Sequence, residues 1–195
     1  MCIRDSRDTP EFRNVEHVSY VDADMQLVDT LRKGKTNCVV ELMHAIDRLK
    51  DYRNMSDSLV RLNLMYVIHI VGDMHCPSHV KYPGCKSGRA DLNGKKMSYH
   101  AMWDWGVLDG AHGWSYSEYR LLLDTFSKRE KAGMAKGTPR EWLYETAVAC
   151  RVIYDWQRAD GTYGKQFVTD TYLLPERQLI LASYRLAAVL NDLFG

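Results

Sequence analysis

The sequence predicts an all-α protein that folds as a single-domain helical bundle. Apolar residues recur about every 3.6 positions in several segments, and no segment shows the clear apolar–polar alternation of a β-strand. The chain has 195 residues, of which 46% are hydrophobic, so it can bury one substantial core. Its longest apolar stretch is interrupted by Asn63, His69 and Asp73, so no membrane span is predicted. The net charge of +1 gives no overall attraction to nucleic acid.

The helices can be placed in order along the chain. Apolar residues share one face of residues 36–49, which predicts an amphipathic helix. Ser56 is a suitable N-cap for a longer helix, because Asp57 follows it at the positive end of the helix dipole. Pro77 ends or kinks that helix. Further helical segments are predicted from near Ser98 and over residues 115–131, 139–158 and 174–194.

Residues 80–99 are rich in Gly, Pro, Ser and Asn, which predicts a loop between two helices. The charges of this loop are lopsided, because a single acid, Asp91, stands against the basic residues Lys81, Lys86, Arg89, Lys95 and Lys96. Such a stretch is either a solvated surface or a region whose positive potential attracts an anionic substrate. The sequence leaves both interpretations open.

Potential metal ligands are concentrated between residues 69 and 104. His69 and Asp73 are four residues apart, as are His100 and Asp104, and His79 lies between the two pairs. Residues four apart lie on the same face of an α-helix, so each pair can direct an imidazole nitrogen and a carboxylate oxygen at one point. An ionised Asp73 within an apolar helix also requires a positive partner, because burying it alone costs several kcal/mol.

The alternative is that these residues are ordinary core or surface residues. A single His on an apolar helix is more often hydrogen-bonded in the core than bound to metal, and an isolated His/Asp pair is often only a hydrogen bond. Two pairs that bracket a third His favour metal binding. The mixture of imidazole and carboxylate fits Zn²⁺ best, with Mn²⁺ or Fe as weaker candidates. With His17 as a further candidate, the set is too large for one tetrahedral ion and predicts more than one metal.

The five cysteines include no C-x-x-C pair, so no thiolate zinc motif is predicted. Cys76 and Cys85 flank a short loop and could form a disulfide in an oxidising compartment. The odd total leaves at least one thiol free. Residues 1–7 lack the apolar core of a secretory signal.

Two segments carry a resemblance to a known family. His69-Ile70-Val71-Gly72-Asp73-Met74-His75-Cys76-Pro77-Ser78-His79, followed by Tyr99-His100-Ala101-Met102-Trp103-Asp104, resembles the central signature of the S1/P1 nucleases. The run from Ala182 to Asn191 also resembles that family's closing helix. The resemblance implies an all-helical zinc enzyme of the phospholipase C/P1 nuclease fold type, with up to three zinc ions in the intact family member.

The same resemblance implies a role for each candidate ligand. His17, His69 and Asp73 would bind one zinc of a close pair, and Asp73 would also bridge to a third zinc. The second zinc of the pair would be bound by His79, His100 and Asp104. His75 occupies a motif position and is expected to act as a structural residue or to orient the ligands through hydrogen bonds.

The N-terminal region departs from the family pattern. Residues 1–6 are interpreted as a non-native remnant, and residues 7–195 as an S1/P1 nuclease-like domain that lacks its natural N-terminus. Three further ligands of the family therefore have no counterpart here. Arg7 aligns with an arginine that faces the substrate phosphate, so it is expected to stabilise charge on the phosphoryl group. The resemblance also implies a secreted or periplasmic protein.

The resemblance predicts a zinc-dependent phosphoesterase that hydrolyses phosphodiester bonds of single-stranded DNA or RNA, together with 3′-nucleotidase activity. Single-stranded nucleic acid or a nucleotide is the expected partner, and no obligate protein partner is inferred. Tyr20 could stack on a base and Asp22 could accept hydrogen bonds from one, although an ordinary packing role is an equal alternative. The alternative functions are a zinc-dependent phospholipase C and an inactive zinc-binding helical fragment.

Overall fold

The computed structural model describes residues 15–16, 18–31 and 34–195, and it confirms the predicted all-α class. α-Helices dominate this part of the chain and are joined by 3₁₀ turns and by strands of two to four residues. None of these helices combines the length and the apolar character needed to cross a bilayer. The α-helices are α1 (Cys38–Leu49), α2 (Asp57–His75), α3 (Tyr99–Ala101), α4 (Val107–Ala111), α5 (Tyr116–Leu123), α6 (Lys128–Met134), α7 (Pro139–Cys150), α8 (Lys165–Thr171) and α9 (Leu173–Phe194).

Asn37 fixes both the start of α1 and the segment that precedes it. The side-chain oxygen of Asn37 caps the helix by accepting a hydrogen bond from the backbone N–H of Val39 at 3.3 Å. Its amide nitrogen donates to the carbonyl oxygens of Tyr20 and Val28, both at 2.9 Å. This buried residue therefore ties the irregular chain before α1 to the helical core.

α2 is the central helix, and it begins and ends where the sequence predicts. Ser56 occupies the N-cap position, and Asp57 lies in the first turn. At the other end, Cys76 has an extended backbone with φ −72° and ψ 127°, because Pro77 cannot continue the helix. The apolar face of α2 packs against α1, α7 and α9. In this core, Val67, Val71 and Met74 of α2 meet Leu42 and Leu49 of α1 and Leu143 of α7, and all six side chains are fully buried.

His75 and Arg185 join α2 to the long C-terminal helix α9. Nδ1 of His75 donates to the carbonyl oxygen of Val71 at 2.7 Å, and Nε2 accepts from the Arg185 guanidinium at 2.8 Å. Arg185 also pairs with Glu145. Burial, followed by the charge of Arg185, lowers the pKa of His75 to about 4. His75 is therefore a neutral structural residue, in agreement with one of its two expected roles.

Two of the predicted helical segments after residue 111 differ from the observed helices in length, whereas the predicted helix over residues 174–194 is confirmed as α9. The predicted helix over residues 115–131 is two helices, α5 and α6, because Ser127 begins a new capping box with Glu130. The predicted helix over 139–158 ends as α7 at Cys150 and continues as the 3₁₀ segment Arg151–Tyr154. These errors concern where helices end, and the helical class of each segment is confirmed.

Strands form inside the region predicted as a loop, so that prediction is wrong for its second half. β3 (Arg89–Leu92) and β4 (Lys95–Ser98) make an antiparallel hairpin, and β5 (Thr162–Tyr163) pairs with β3 in parallel. Asn93 and Gly94 have φ values of 54° and 86°, the left-handed pair that suits a tight hairpin turn. A second small sheet joins β1 (Ser19–Tyr20) to β2 (Val80–Lys81).

A second cluster of buried side chains lies beside the hairpin and contains several aromatic rings. Trp103 stacks on Trp156 with ring centroids 5.7 Å apart and meets the edge of Phe167 at 5.9 Å. Tyr99 donates a hydrogen bond to the carbonyl oxygen of Ile153. This cluster holds the chain from α3 to α4 in place against the rest of the molecule.

No disulfide links Cys76 to Cys85 in the structure. Both thiols are free, as are Cys38 and Cys150. The disulfide considered from the sequence is therefore not formed, and the Cys76 sulfur is available for other contacts.

A cavity-forming substitution tests the core around α1. Replacement of the fully buried Leu42 by Ala is expected to lower the free energy of unfolding by about 2–5 kcal/mol, because it leaves a cavity between α1 and α2. Leu121→Ala is the matched control, since Leu121 is 70% exposed and its replacement should change stability by less than about 0.5 kcal/mol. Urea unfolding measures both variants, and equal losses would contradict this assignment of the core.

Candidate metal centre

The end of α2 and the turn that follows it position three of the predicted ligands. His69 and Asp73 lie one helical turn apart, and His69 Nε2 is 3.2 Å from Asp73 Oδ2. After α2 ends, the 3₁₀ turn Pro77–His79 brings His79 back towards the helix, so that His79 Nδ1 lies 3.0 Å from the same Asp73 oxygen. Asp73 therefore faces two imidazoles at once.

The remaining predicted ligands come from the helical segment between the hairpin and α4. Ser98 caps α3 by accepting a hydrogen bond from the N–H of Ala101 at 3.0 Å, and His100 lies on this first turn. The next five residues, Met102–Gly106, form a π-helical segment that carries Asp104. Such wide turns recur at functional sites because the extra residue redirects a side chain. The π-helical segment packs against the Pro77–His79 turn.

His79 is the centre of the resulting cluster. Its Nδ1 faces Asp73, and its Nε2 lies 3.4 Å from Asp104 Oδ1 on the opposite side. The ring of His100 approaches that of His79 with centroids 4.6 Å apart. The structure thus brings together the five predicted ligands that it describes, His69, Asp73, His79, His100 and Asp104.

The environment of His79 fits a bound cation. The residue is only 5% exposed, yet neither of its ring nitrogens makes a directional hydrogen bond, although carboxylate oxygens lie nearby. Buried polar atoms without such bonds are uncommon and costly. Imidazole nitrogens and carboxylate oxygens are also the donor atoms that Zn²⁺ accepts in proteins. The residues present therefore fit a zinc ion. In metal-free protein, a proton on His79 can supply the positive charge between the two carboxylates.

The charges of the cluster shift the pKa values in directions consistent with this interpretation. Burial alone would lower the pKa of His79, but Asp104 and Asp73 outweigh burial and raise it to about 9. The neighbouring His79 imidazole lowers the pKa of Asp104. Burial and the neighbouring His79 lower the pKa of His100. Asp73 and Asp104 thus both raise the pKa of His79. His100, whose pKa is lowered, favours the neutral form that can bind a metal.

Cys76 also belongs to this cluster, and the sequence analysis missed it. Ligand atoms of Cys76, His79 and Asp104 all lie within 4.8 Å of one another. The Cys76 sulfur is 3.6 Å from Asp104 Oδ1. A single thiol does not make the C-x-x-C pattern that is typical of a thiolate zinc motif. The available signal was the position of Cys76 inside the metal motif itself, between His75 and Pro77.

Two predicted substrate residues lie along another part of the chain. Asp22 accepts hydrogen bonds from the backbone N–H groups of Asp24 and Gln26, both at 2.9 Å, and so stabilises a turn. Tyr20 lies on β1, which pairs with β2 directly after His79. Neither side chain belongs to the ligand cluster. His17 and Arg7, the remaining predicted site residues, lie outside the described residues.

The chain matches known proteins along nearly its whole length. It matches the family model described as S1/P1 Nuclease over residues 2–195. It is 27% identical to Endonuclease 2 of Arabidopsis thaliana over 184 residues, which cover 83% of this chain and 63% of that protein. It is 25% identical to Endonuclease 4 of the same plant over 213 residues, covering 96% of this chain and 69% of the relative. The match thus spans slightly less than two thirds of Endonuclease 2.

A metal-binding measurement tests the role of His79. His79→Ala is expected to lower Zn²⁺ affinity at least tenfold. The loss of a residue that only hydrogen-bonds to a metal ligand already costs about tenfold or more, and His79 is proposed as a ligand itself. His44→Ala is the matched control, because the side chain of His44 on α1 is 60% exposed. Isothermal titration of chelated, dialysed protein with Zn²⁺ provides the comparison. Unchanged binding by the His79 variant would contradict the assignment.

The raised pKa of His79 predicts a pH-dependent stability in metal-free protein. The pKa of His79 is about 9 in the folded protein against the ordinary histidine value of 6.5, so the bound proton stabilises the fold fully below pH 6.5. This contribution is lost as the pH rises through 9. In the presence of a chelator, the unfolding temperature should therefore fall between these pH values more steeply for the wild type than for His79→Gln. If the unfolding temperatures of the two proteins change with pH in the same way, Asp73 and Asp104 do not stabilise protonated His79.

Proposed function

Because the chain belongs to the S1/P1 nuclease family, we propose that it is a zinc-dependent phosphoesterase that hydrolyses phosphodiester bonds of single-stranded DNA or RNA. The observation that carries this proposal is the buried His79 imidazole between the carboxylates of Asp73 and Asp104. We include 3′-nucleotidase activity, since the same centre would act on a terminal phosphate. A secreted or periplasmic location remains part of the proposal through the family resemblance.

We propose one zinc ion on each of the two sides of the cluster. On one side, His69 and Asp73 would hold one zinc ion together with His17. On the other side, His79, His100 and Asp104 would hold a second. When bound, zinc ions polarise a phosphate ester and lower the pKa of water towards about 7. The protein's own contribution is to fix the imidazoles and carboxylates on rigid elements around this position.

A groove beside β1 and β2 offers a place for the substrate. Its volume is about 550 Å³, and its lining includes Tyr20, Asp22 and Lys81. Lys81 follows His79 by two residues, and its charge acts on His100, so the groove adjoins the ligand cluster. A cation there can attract a phosphate, and the ring of Tyr20 can stack on a base. We therefore retain Tyr20 and Asp22 as substrate residues, and Arg7 as the residue that stabilises the phosphoryl charge.

A nucleic acid substrate is favoured over a phospholipid. The Arabidopsis relatives are named endonucleases. Lys95 on the hairpin adds positive charge, and it lies 4.4 Å from the ring centroid of Trp105. Trp105 belongs to the π-helical segment and is 40% exposed. Trp105 directly follows the proposed metal ligand Asp104, so an indole ring that can stack on a nucleobase adjoins the metal centre in the sequence. These features suit single-stranded nucleic acid, which binds to positive surfaces that carry stacking aromatics.

Hydrolysis assays test the proposed function directly. The zinc-loaded protein should cleave a single-stranded oligonucleotide, lose this activity on chelation and regain it when Zn²⁺ is restored. Asp104→Asn should reduce the rate by roughly 100-fold or more, because it weakens a metal ligand. Asp109→Asn, a change to an exposed residue on α4, should leave the rate unchanged.

Phosphatidylcholine vesicles, assayed in parallel, separate the nuclease from the phospholipase C alternative. Activity on the vesicles without oligonucleotide cleavage would overturn the proposed substrate. Oligonucleotide cleavage that survives complete removal of metal would overturn the mechanism. A protein that binds zinc but turns over neither substrate would instead support the inactive zinc-binding fragment.

A further inference from the structure

We propose that Cys76 is a thiolate ligand of the metal ion held by His79 and Asp104. The inference rests on the proposed metal dependence and adds to the ligand set derived from the sequence, which contains only imidazoles and carboxylates. The ion on this side of the centre would then be bound by nitrogen, oxygen and sulfur donor atoms.

The distances within the triad agree with those around a tetrahedral zinc ion. Metal–ligand lengths of about 2.3 Å for sulfur and about 2.1 Å for nitrogen or oxygen require separations of about 3.6 Å between sulfur and oxygen and about 3.4 Å between nitrogen and oxygen. The Cys76 sulfur lies 3.6 Å from Asp104 Oδ1, and His79 Nε2 lies 3.4 Å from the same oxygen. Both distances therefore match tetrahedral edges that share the Asp104 oxygen, and the remaining pair, the Cys76 sulfur and the His79 nitrogen, lies within 4.8 Å.

A second, independent observation points to a cation at the same place. His79 is 5% exposed, and both of its ring nitrogens lack a directional hydrogen bond. One of those nitrogens is directed at Asp104, which the Cys76 sulfur also contacts. The ligand atoms of Cys76, His79 and Asp104 all lie within 4.8 Å of one another, close enough to hold one ion.

The local backbone directs the thiol to this position. Cys76 follows the last residue of α2, where the extended backbone turns its side chain away from the helix. Its sulfur lies 3.3 Å from Ser78 Oγ and 3.8 Å from the carbonyl oxygen of Trp103, so it is held between the 3₁₀ turn and the π-helical segment. The fold therefore holds the thiol in this position before any ion binds.

Binding of the thiol requires that it lose its proton. The S–H bond breaks, the sulfur retains the electron pair that it then donates to the ion, and the proton passes to solvent. A cation at the triad favours the thiolate form, because it takes the place of the proton on sulfur. The consequence is a preference for softer divalent ions, such as Zn²⁺ and Cd²⁺, over Mn²⁺ or Mg²⁺.

Ultraviolet absorption of the cadmium-substituted protein tests this inference without relying on activity. Wild-type protein that has been chelated, dialysed and titrated with Cd²⁺ should develop a sulfur-to-cadmium charge-transfer band that saturates with the metal. Cys76→Ser should lose the band and bind Zn²⁺ about tenfold or more weakly. Cys85→Ser, which alters another partly buried free thiol, should retain it. In addition, Zn²⁺ should protect Cys76 but not Cys85 from alkylation, as located by mass spectrometry.

The outcomes separate this inference from the proposed function. If the wild type binds Cd²⁺ stoichiometrically without the band, Cys76 is not a ligand, while the imidazole–carboxylate centre stands. If the wild type binds neither Cd²⁺ nor Zn²⁺, the proposed metal dependence fails and the ligand role of Cys76 fails with it. Because the decisive spectrum is that of the wild type, the test does not depend on whether Cys76→Ser folds.

Discussion

The structure around the candidate centre depends on one interaction, the burial of the His79 imidazole between two carboxylates. Asp73 and Asp104 approach its two nitrogens at 3.0 and 3.4 Å. Two carboxylates at this spacing repel one another unless positive charge lies between them. A proton on His79 can supply that charge in metal-free protein, and a divalent ion can supply it more fully. The same arrangement therefore explains both the raised pKa of His79 and the fit to zinc.

The fold produces this arrangement by bringing together the ends of elements from its two cores. α2 is fixed in the first core by α1, α7 and α9, and it ends at Cys76 because of the proline that follows. Asp104 belongs to a π-helical segment held by the aromatic second core. Between them, the short Pro77–His79 turn carries the central imidazole. Because rigid elements hold both sides, little rearrangement is needed to bind an ion.

The parts of the fold that could be predicted are those with a regular pattern. Helical spacing revealed α2 and the facing pair His69 and Asp73, and the capping residue and proline located its ends. The hairpin was missed because its strands are short, although the Asn93-Gly94 turn was a specific signal for it. The π-helical turn has no sequence signature of its own. Cys76 was missed because the fold brings its partner Asp104 to it from 28 residues further along the chain.

The central claim is that these side chains surround divalent cations, and anomalous X-ray diffraction at the zinc edge tests it most directly. Crystals of the zinc-loaded protein should show an anomalous peak about 2.0–2.2 Å from His79 Nε2 and Asp104 Oδ1. A second peak is expected beside His69 and Asp73. Fully loaded crystals with no anomalous density within coordination distance of His79, Asp73 or Asp104 would contradict the account.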